Sequence, residues 1–143
     1  MHREAGYRCA LESNNIPWDE NLVLNGEFDR EVAFQAMNDF LENGRKADFD
    51  AVFTGDDDAA IGVLRSLQKH GLQVPDDIAV IGFDDLGFAP FLNPPLTTVR
   101  APTETVGRIA TERLFGLLEN RPSSEIQILP TEIIFRRSCG CHN

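Results

Sequence analysis

Short β-rich runs alternate with longer stretches of helical periodicity, and this alternation constrains the fold of the chain more than any other feature. The β-rich runs are 22–24, 51–53, 78–83, 97–99 and 126–135. Apolar side chains recur at helical spacing over 30–43, 57–70 and 103–119, and the opening residues through Ser13 also have a helical pattern. Strands that alternate with helices in this way are typical of a parallel sheet covered by helices. The sequence therefore predicts the α/β class.

Local signals support these boundaries. Gly44 follows the helical stretch 30–43, and Gly71 follows 57–70, so each stands where a helix commonly ends. The run 78–83 is apolar throughout, which predicts a strand covered on both faces.

The charge of the chain argues against direct contact with nucleic acid. The 143 residues carry a formal net charge of −10, with no basic cluster beyond Arg136-Arg137. Such a surface repels phosphate backbones, so we expect this polypeptide itself not to bind DNA.

No apolar run is long enough to span a membrane, and the residues after Met1 lack the apolar stretch of a secretory leader. We therefore expect a cytoplasmic protein.

The three cysteines agree with a reducing compartment, because an odd count is a poor disulfide framework. Cys139 and Cys141 form a CGC tail followed by His142. A metal site would need further ligands, so the favoured interpretation of this tail is a frayed, reduced terminus.

Conspicuous side chains follow three of the β-rich runs. Phe28 comes after 22–24, Asp56-Asp57-Asp58 comes after 51–53, and Asp84-Asp85 comes after 78–83. Parallel strands place their carboxyl ends at one edge of the sheet, where ligands of open α/β sheets bind. Carboxylates and an aromatic face suit a polyhydroxylated or amine-bearing small molecule.

Simpler interpretations of these residues remain open. One of the three consecutive aspartates is expected to cap the following helix, and the others suit its dipole. Asp84-Asp85 could be a solvated turn, and Phe28 could belong to the core.

No catalytic arrangement can be assembled from the sequence. There is no glycine-rich phosphate loop, no G-x-S-x-G and no H-E-x-x-H. His2, His70 and His142 lie at a terminus, at a helix end and in the tail. We expect no enzymatic activity, no cofactor and no metal.

Several segments match the motifs of a known family. Residues 71–85 (GLQVPDDIAVIGFDD) match G-x-x-V-P-x-D-[IV]-x-[VL]-[IV]-G-[FY]-D-[DN] almost letter for letter, and 54–62 (TGDDDAAIG) is similar to A-N-D-x-x-A-x-G. Further matches are RxxG[FYW] at 3–7, PPLTT[VI] at 94–99 and the closing L-P…R-x-S at 129–138. The chain resembles the C-terminal part of the sensor domain of LacI/GalR transcriptional regulators. That domain has a Rossmann-like, periplasmic-binding-protein type I fold.

The resemblance implies a domain that senses a small-molecule effector, usually a sugar and sometimes a purine. By motif, Arg3 would contact the effector with its guanidinium, Phe28 would stack on it, and Asp84 would accept hydrogen bonds from its hydroxyls. Asp56 stands where many members have a hydroxyl-binding asparagine, which removes a donor and adds a charge.

The resemblance also implies a homodimer, with a dimer face formed by Ile61, Leu64, Arg65, Phe91 and Leu92. DNA would be bound only through a helix-turn-helix headpiece outside this sequence. A different output domain stays open as a variant of this interpretation.

The family's two-lobed organisation would make this chain a partial, truncated effector-binding domain. The C-terminal lobe would comprise mainly 1–95 and 124–143, and 96–121 would cross into the N-terminal lobe. The apolar stripe of 103–119 would then lack its partner lobe, so we expect the fragment to self-associate.

Two other functions compete with the regulator. One is a periplasmic sugar-binding transport protein of the same fold, which the closing R-x-S motif disfavours. The other is a metal-dependent phosphoryl-transfer enzyme using the carboxylates at the strand ends, which the lack of a phosphate loop makes the weakest alternative.

Overall fold

A four-stranded sheet forms the centre of the protein in the computed structural model, which describes residues 2–44, 49–121 and 126–141. The strands are β1 (Ala51–Phe53), β2 (Ala79–Phe83), β3 (Thr97–Arg100) and β4 (Glu132–Ile134), in that spatial order. β1, β2 and β3 are parallel, and β4 runs antiparallel to β3. The predicted α/β class with a mainly parallel sheet is confirmed.

Within the described ranges, four α-helices accompany the sheet: α1 (His2–Ser13), α2 (Arg30–Glu42), α3 (Asp57–Lys69) and α4 (Thr103–Leu118). Their bounds agree with the helical stretches predicted from apolar periodicity. Aspartate caps explain two of the starts. The Asp29 carboxylate accepts hydrogen bonds from two backbone N–H groups at the start of α2, and the Asp56 carboxylate accepts one at the start of α3. The chain leaves α2 through Gly44 at φ +83°, a conformation that favours glycine.

The core lies between the sheet and the α2–α3 pair. Its buried side chains come from α2, α3, β2 and the segment leading into β3: Met37, Phe40, Leu41, Ala60, Val63, Leu67, Ile78, Val80, Ala89 and Leu96. α3 approaches α2 closely at Gly62, where an added Cβ would collide with the Arg30 carbonyl oxygen and lie 2.7 Å from the Phe34 nitrogen. A glycine is therefore required at this helix crossing.

The expected strand at 22–24 is wrong. Glu20–Leu22 forms a single 3₁₀ turn, capped by the Asp19 carboxylate, which accepts the Asn21 backbone N–H at 2.9 Å. Val23 and Leu24 follow without strand pairing. A run of three apolar residues becomes a strand only when a neighbouring strand supplies its hydrogen bonds, and in the described part of the chain β1 pairs only with β2.

Two other strand predictions need correction. Of the predicted run 126–135, only Glu132–Ile134 pairs as β4, while 126–131 is irregular and 122–125 lies outside the described residues. β2 is not covered equally on both faces. Val80 and Gly82 are buried, whereas Ile81 and Phe83 on the alternate positions are only half-buried.

α1 and α4 contribute no residue to the buried core among those described. α4 carries several large apolar side chains that are more than half exposed: Val106, Leu114, Phe115, Leu117 and Leu118. In the described ranges, none of the helices combines the length and the apolar character needed to cross a membrane.

Candidate functional site

Three of the four predicted ligand-binding residues lie together at the carboxyl edge of the sheet. The guanidinium carbon of Arg3, in the first turn of α1, is 3.9 Å from the ring centroid of Phe83 and 5.6 Å from that of Phe28. Its Nη2 is 3.9 Å from Oδ1 of Asp84. One cation, two aromatic rings and a carboxylate thus form one cluster, which we call the Arg3 cluster.

Phe83 was not predicted from the sequence as part of this cluster. It is the last residue of β2, directly before Asp84, and its half-buried ring supports the guanidinium of Arg3. The signal that could have found it is its position at a strand end beside a predicted ligand-binding carboxylate.

Phe28 lies on the surface, so the alternative that it belongs to the core is wrong. Its side chain is 63% exposed, and its backbone has a positive φ of 55°. The ring passes over Gly55, where an added Cβ would lie 2.9 Å from Phe28 Cε1. A side chain at position 55 would therefore displace the ring. With glycine there, one face of the ring rests on the backbone, and the exposed face is available to a ligand.

The two carboxylates after β2 have different surroundings. Asp85 is 8% exposed and forms ion pairs with Arg100 and Arg136, each with a shortest N–O distance of 2.6 Å. Burial works against its ionisation, but the hydrogen bonds and charges of Arg136 and Arg100 outweigh it and lower the pKa of Asp85. Asp84 has φ +99°. Among the described residues, its carboxylate makes only the long contact to Arg3, and its side chain is about one-third exposed. Asp84 is therefore the carboxylate placed to accept hydrogen bonds from a ligand.

The Asp57 carboxylate stabilises the loop after β2 through hydrogen bonds. It is fully buried, its Oδ1 accepts the Thr98 hydroxyl at 2.6 Å, and its Oδ2 accepts the Leu86 backbone N–H at 2.7 Å. Burial raises the pKa of Asp57, and the nearby charges of Asp85 and Asp84 add to this, against the opposing hydrogen bonds. This single side chain joins α3, β3 and the loop after β2.

The sequence carries a signal for the buried Asp57, which is the glycine at position 82 of the motif 71–85. Gly82 interrupts an otherwise bulky strand, and a Cβ there would collide with the Asp57 carboxylate. An isolated glycine inside a strand often marks such a close approach.

Asp56 has the role that the simpler interpretation gave it. Its carboxylate accepts the Ala59 backbone N–H at 2.8 Å and so caps α3. Asp58 forms an ion pair with Arg30 on α2. A contribution of Asp56 to ligand binding stays a prediction.

An apolar groove of about 560 Å³ begins beside the Arg3 cluster. It runs between α1, α2, β1 and the segment 22–24, and its lining includes Tyr7, Val23 and Phe53. The side of β1 that faces this groove has no strand partner among the described residues.

The residues of the predicted dimer face differ in exposure. Leu64 and Leu92 are partly buried against the core, and Ile61 is half-buried. Arg65 pairs with Glu31 and lies with its guanidinium carbon 4.9 Å from the Phe34 ring centroid. Phe91 is 86% exposed. Their role in dimerisation stays a prediction.

Within the described ranges, no three His, Cys, Asp or Glu side chains are grouped so that they could hold a metal ion. The site chemistry available in the Arg3 cluster is that of hydrogen bonding and ring stacking.

Residues 1–139 match the family model of the periplasmic binding protein-like domain, and the chain belongs to this family. Its curated relatives are transcriptional regulators. It is 34% identical over 134 residues to the HTH-type transcriptional regulator MalR of Clostridium butyricum, a match that covers 94% of the chain and 39% of that protein. It is 38% identical over 139 residues to the probable HTH-type transcriptional repressor ExuR of Bacillus subtilis, a match that covers 96% and 41%.

Solved structures that are similar to the chain are also regulators. The chain superposes on a transcriptional regulator CelR–cellobiose complex with a TM-score of 0.88 and 36% identity, covering 95% of the chain and 41% of that structure. It superposes on a regulatory protein of the LacI family from Chloroflexus aggregans with a TM-score of 0.85 and 33% identity, covering 98% and 50%. The chain thus spans about two-fifths of the length of the curated relatives it matches.

Proposed function

We propose that this chain is the effector-sensing part of a LacI-type, DNA-binding transcriptional regulator, and that its effector is a sugar or a related polyhydroxylated molecule. The observation that carries the proposal is the Arg3 cluster, because it places an aromatic face, a cation and a weakly engaged carboxylate at one edge of the sheet. The Asp84 carboxylate can accept hydrogen bonds from ligand hydroxyls, and Arg3 can donate them. The exposed face of Phe28 can pack on the apolar side of a sugar ring.

The similar proteins favour a regulator over a transport-binding protein. One similar structure is a complex with cellobiose, and another relative is the ribose operon repressor of Escherichia coli, 35% identical over 135 residues. We propose no enzymatic activity and no cofactor for this chain.

DNA binding would belong to a helix-turn-helix elsewhere in a longer protein, since the formal charge of −10 on this chain repels phosphate. A regulator of this kind works in the cytoplasm, as a homodimer that uses Phe91 and its neighbours on the predicted dimer face.

The test of this function uses the full-length regulator and a ligand library of mono- and disaccharides, nucleosides and polyamines. A compound that raises the melting temperature is then titrated by calorimetry into the wild type and Asp84→Ala. Loss of a charged hydrogen-bond partner costs about 1.5–3 kcal/mol, so we expect binding to weaken by about tenfold or more.

Asp76→Ala is the matched control, because it removes the same charge from an exposed position outside the Arg3 cluster. Unchanged affinity in Asp84→Ala would remove Asp84 from the site. If only amines or nucleosides stabilise the protein, the sugar assignment is wrong while the sensing function stands.

A further inference from the structure

The CGC tail is held in the fold rather than frayed, at least as far as Cys141. Ser138, which precedes it, is fully buried and donates its hydroxyl to the Val80 carbonyl oxygen at 2.6 Å. The same hydroxyl oxygen accepts the Thr97 backbone N–H at 2.8 Å. This anchoring fixes Cys139 at the amino ends of β2 and β3, where its side chain is half-buried. His142 lies outside the described residues.

The two cysteines of the tail flank a tight turn and are joined by hydrogen bonds. The backbone N–H of Cys141 donates to Cys139 Sγ at 3.3 Å, and Cys141 Sγ lies 3.8 Å from the Cys139 carbonyl oxygen. Gly140 between them has φ +70°, which a residue with a side chain rarely adopts. The glycine therefore allows the chain to turn back, so that Cys141 lies against Cys139.

The surroundings of the two thiols make them unequal. Burial disfavours the Cys139 thiolate, but hydrogen bonds from the Thr97 hydroxyl and from the thiol and backbone of Cys141 outweigh it and lower the pKa of Cys139. The pKa of Cys141 is raised, chiefly by its hydrogen bond to Cys139. A thiolate is the reactive form of cysteine, so Cys139 has the character of a nucleophile and Cys141 that of a second, resolving thiol.

We propose that Cys139 and Cys141 form a peroxide-reactive dithiol that closes to an intramolecular disulfide. The Cys139 thiolate attacks one oxygen of hydrogen peroxide, the O–O bond breaks, and the departing hydroxide takes up a proton to become water. Cys139 is then a sulfenic acid. The sulfur of Cys141 attacks the sulfenic sulfur, the S–O bond breaks, and a second water leaves with the Cys141 proton. Two thiols are oxidised, and one peroxide is reduced to two waters.

Cys9 supplies an internal comparison, because it is an exposed free cysteine on α1. The experiment uses the full-length protein, reduced and then treated with hydrogen peroxide, followed by mass spectrometry of the peptide that contains the tail. We expect this peptide to lose two hydrogen atoms and to regain them with dithiothreitol. Before oxidation, iodoacetamide at neutral pH should label Cys139 about threefold or more faster than Cys9.

Two variants separate the formation of the sulfenic acid from the closure of the disulfide. In Cys141→Ser the disulfide should be absent, and dimedone should trap a sulfenic acid on Cys139. In Cys139→Ser neither product should form at the tail, and Cys9 should react as in the wild type. The proposal is overturned if Cys139 is labelled no faster than Cys9. It is equally overturned if peroxide drives Cys139 of the wild type to sulfinic acid without the internal disulfide, or if the disulfide forms only between molecules.

Discussion

Aspartates at the carboxyl edge of the sheet share one chemistry but serve different purposes, because their neighbours differ. Asp56 accepts a backbone N–H and caps a helix, and Asp85 is neutralised by two arginines. Asp57 is buried and accepts one hydrogen bond from a hydroxyl and one from a backbone N–H. The Asp84 carboxylate makes only a long contact to Arg3 within the part of the chain that the structure describes. A carboxylate whose hydrogen-bonding capacity is used inside the fold supports the site, whereas one with capacity left over can serve a ligand.

Replacing Asp57 with alanine should destabilise the protein more than any other change in this group. The variant leaves the Thr98 hydroxyl and the Leu86 N–H without their acceptor in a buried position. Each such loss costs about 1–3 kcal/mol, so for the two groups together we expect the free energy of unfolding to fall by about 2–6 kcal/mol. Urea unfolding followed by circular dichroism measures this. A fall of less than about 1 kcal/mol would show that water replaces the carboxylate at little cost.

Asp57→Asn is the matched control, and its pH dependence reports on the same carboxylate. The pKa of Asp57 is raised in the folded state above its ordinary value of 3.8, so the folded protein binds a proton there more readily than the unfolded chain. The contribution of Asp57 to stability is therefore lowest above the folded pKa and grows as the pH falls through it. On acidification from neutral pH, the stability of the wild type should improve relative to Asp57→Asn. A constant difference would contradict the raised pKa.

At the scale of elements, the α2–α3 contact depends on one glycine. Gly62→Ala would place a methyl group against the backbone of Arg30 and Phe34, which cannot move aside as a side chain could. Overpacking of this kind costs about 1–3 kcal/mol, and we expect the free energy of unfolding to fall accordingly.

Gly107→Ala in α4 is the control for that substitution. Nothing lies within 4 Å of the added Cβ, so the change should stabilise the helix by up to about 1 kcal/mol through helix propensity alone. Denaturant titration of both variants tests the pair. Equal effects at the two positions would mean that α2 and α3 pack less closely at Gly62 than the structure indicates.

The helices could be predicted from the sequence because their causes are local. Apolar periodicity and caps such as Asp29 lie within a few residues of the boundaries they set. The strand expected at 22–24 failed because strand formation depends on a partner that is distant in the sequence. The reduced coverage of β2 at Ile81 and Phe83 had the same kind of cause, since it depends on what packs against the second face of the sheet.

The residues of the candidate site also differ in how far the sequence alone could predict them. Arg3, Phe28 and Asp84 could be named in advance, because a motif or a position after a β-rich run marked each of them. Asp57 was considered as one of the carboxylates at the ligand edge or as a cap or dipole partner, and its burial was missed because it arises from packing of three separate elements. Charged residues are rarely buried completely, so the residues around Asp57 do not favour that outcome, and the signal of Gly82 lies in another element.

At the scale of the molecule, two of the apolar surfaces that the described residues form are open to solvent. One is the groove beside β1, whose edge offers unpaired backbone groups within the described part of the chain. The other is the exposed side of α4, where Leu114, Leu117 and Leu118 are 57%, 57% and 71% exposed. Contiguous apolar patches of this kind usually mark an interaction surface.

We predict that the 143-residue chain, purified by itself, self-associates through the exposed side of α4, the open edge of β1 or both. Full burial of each leucine would contribute roughly 1.5–3 kcal/mol, so a few of them can offset the entropic cost of association. Multi-angle light scattering at micromolar concentration should show a dimer or a larger assembly.

Leu117→Glu should shift the distribution towards monomer, because it places a charge in the buried contact. Gln73→Glu adds the same charge at an exposed loop position outside α4 and outside the groove, and should change the distribution less. A monomeric wild type, or equal effects of the two substitutions, would show that α4 is not the associating surface.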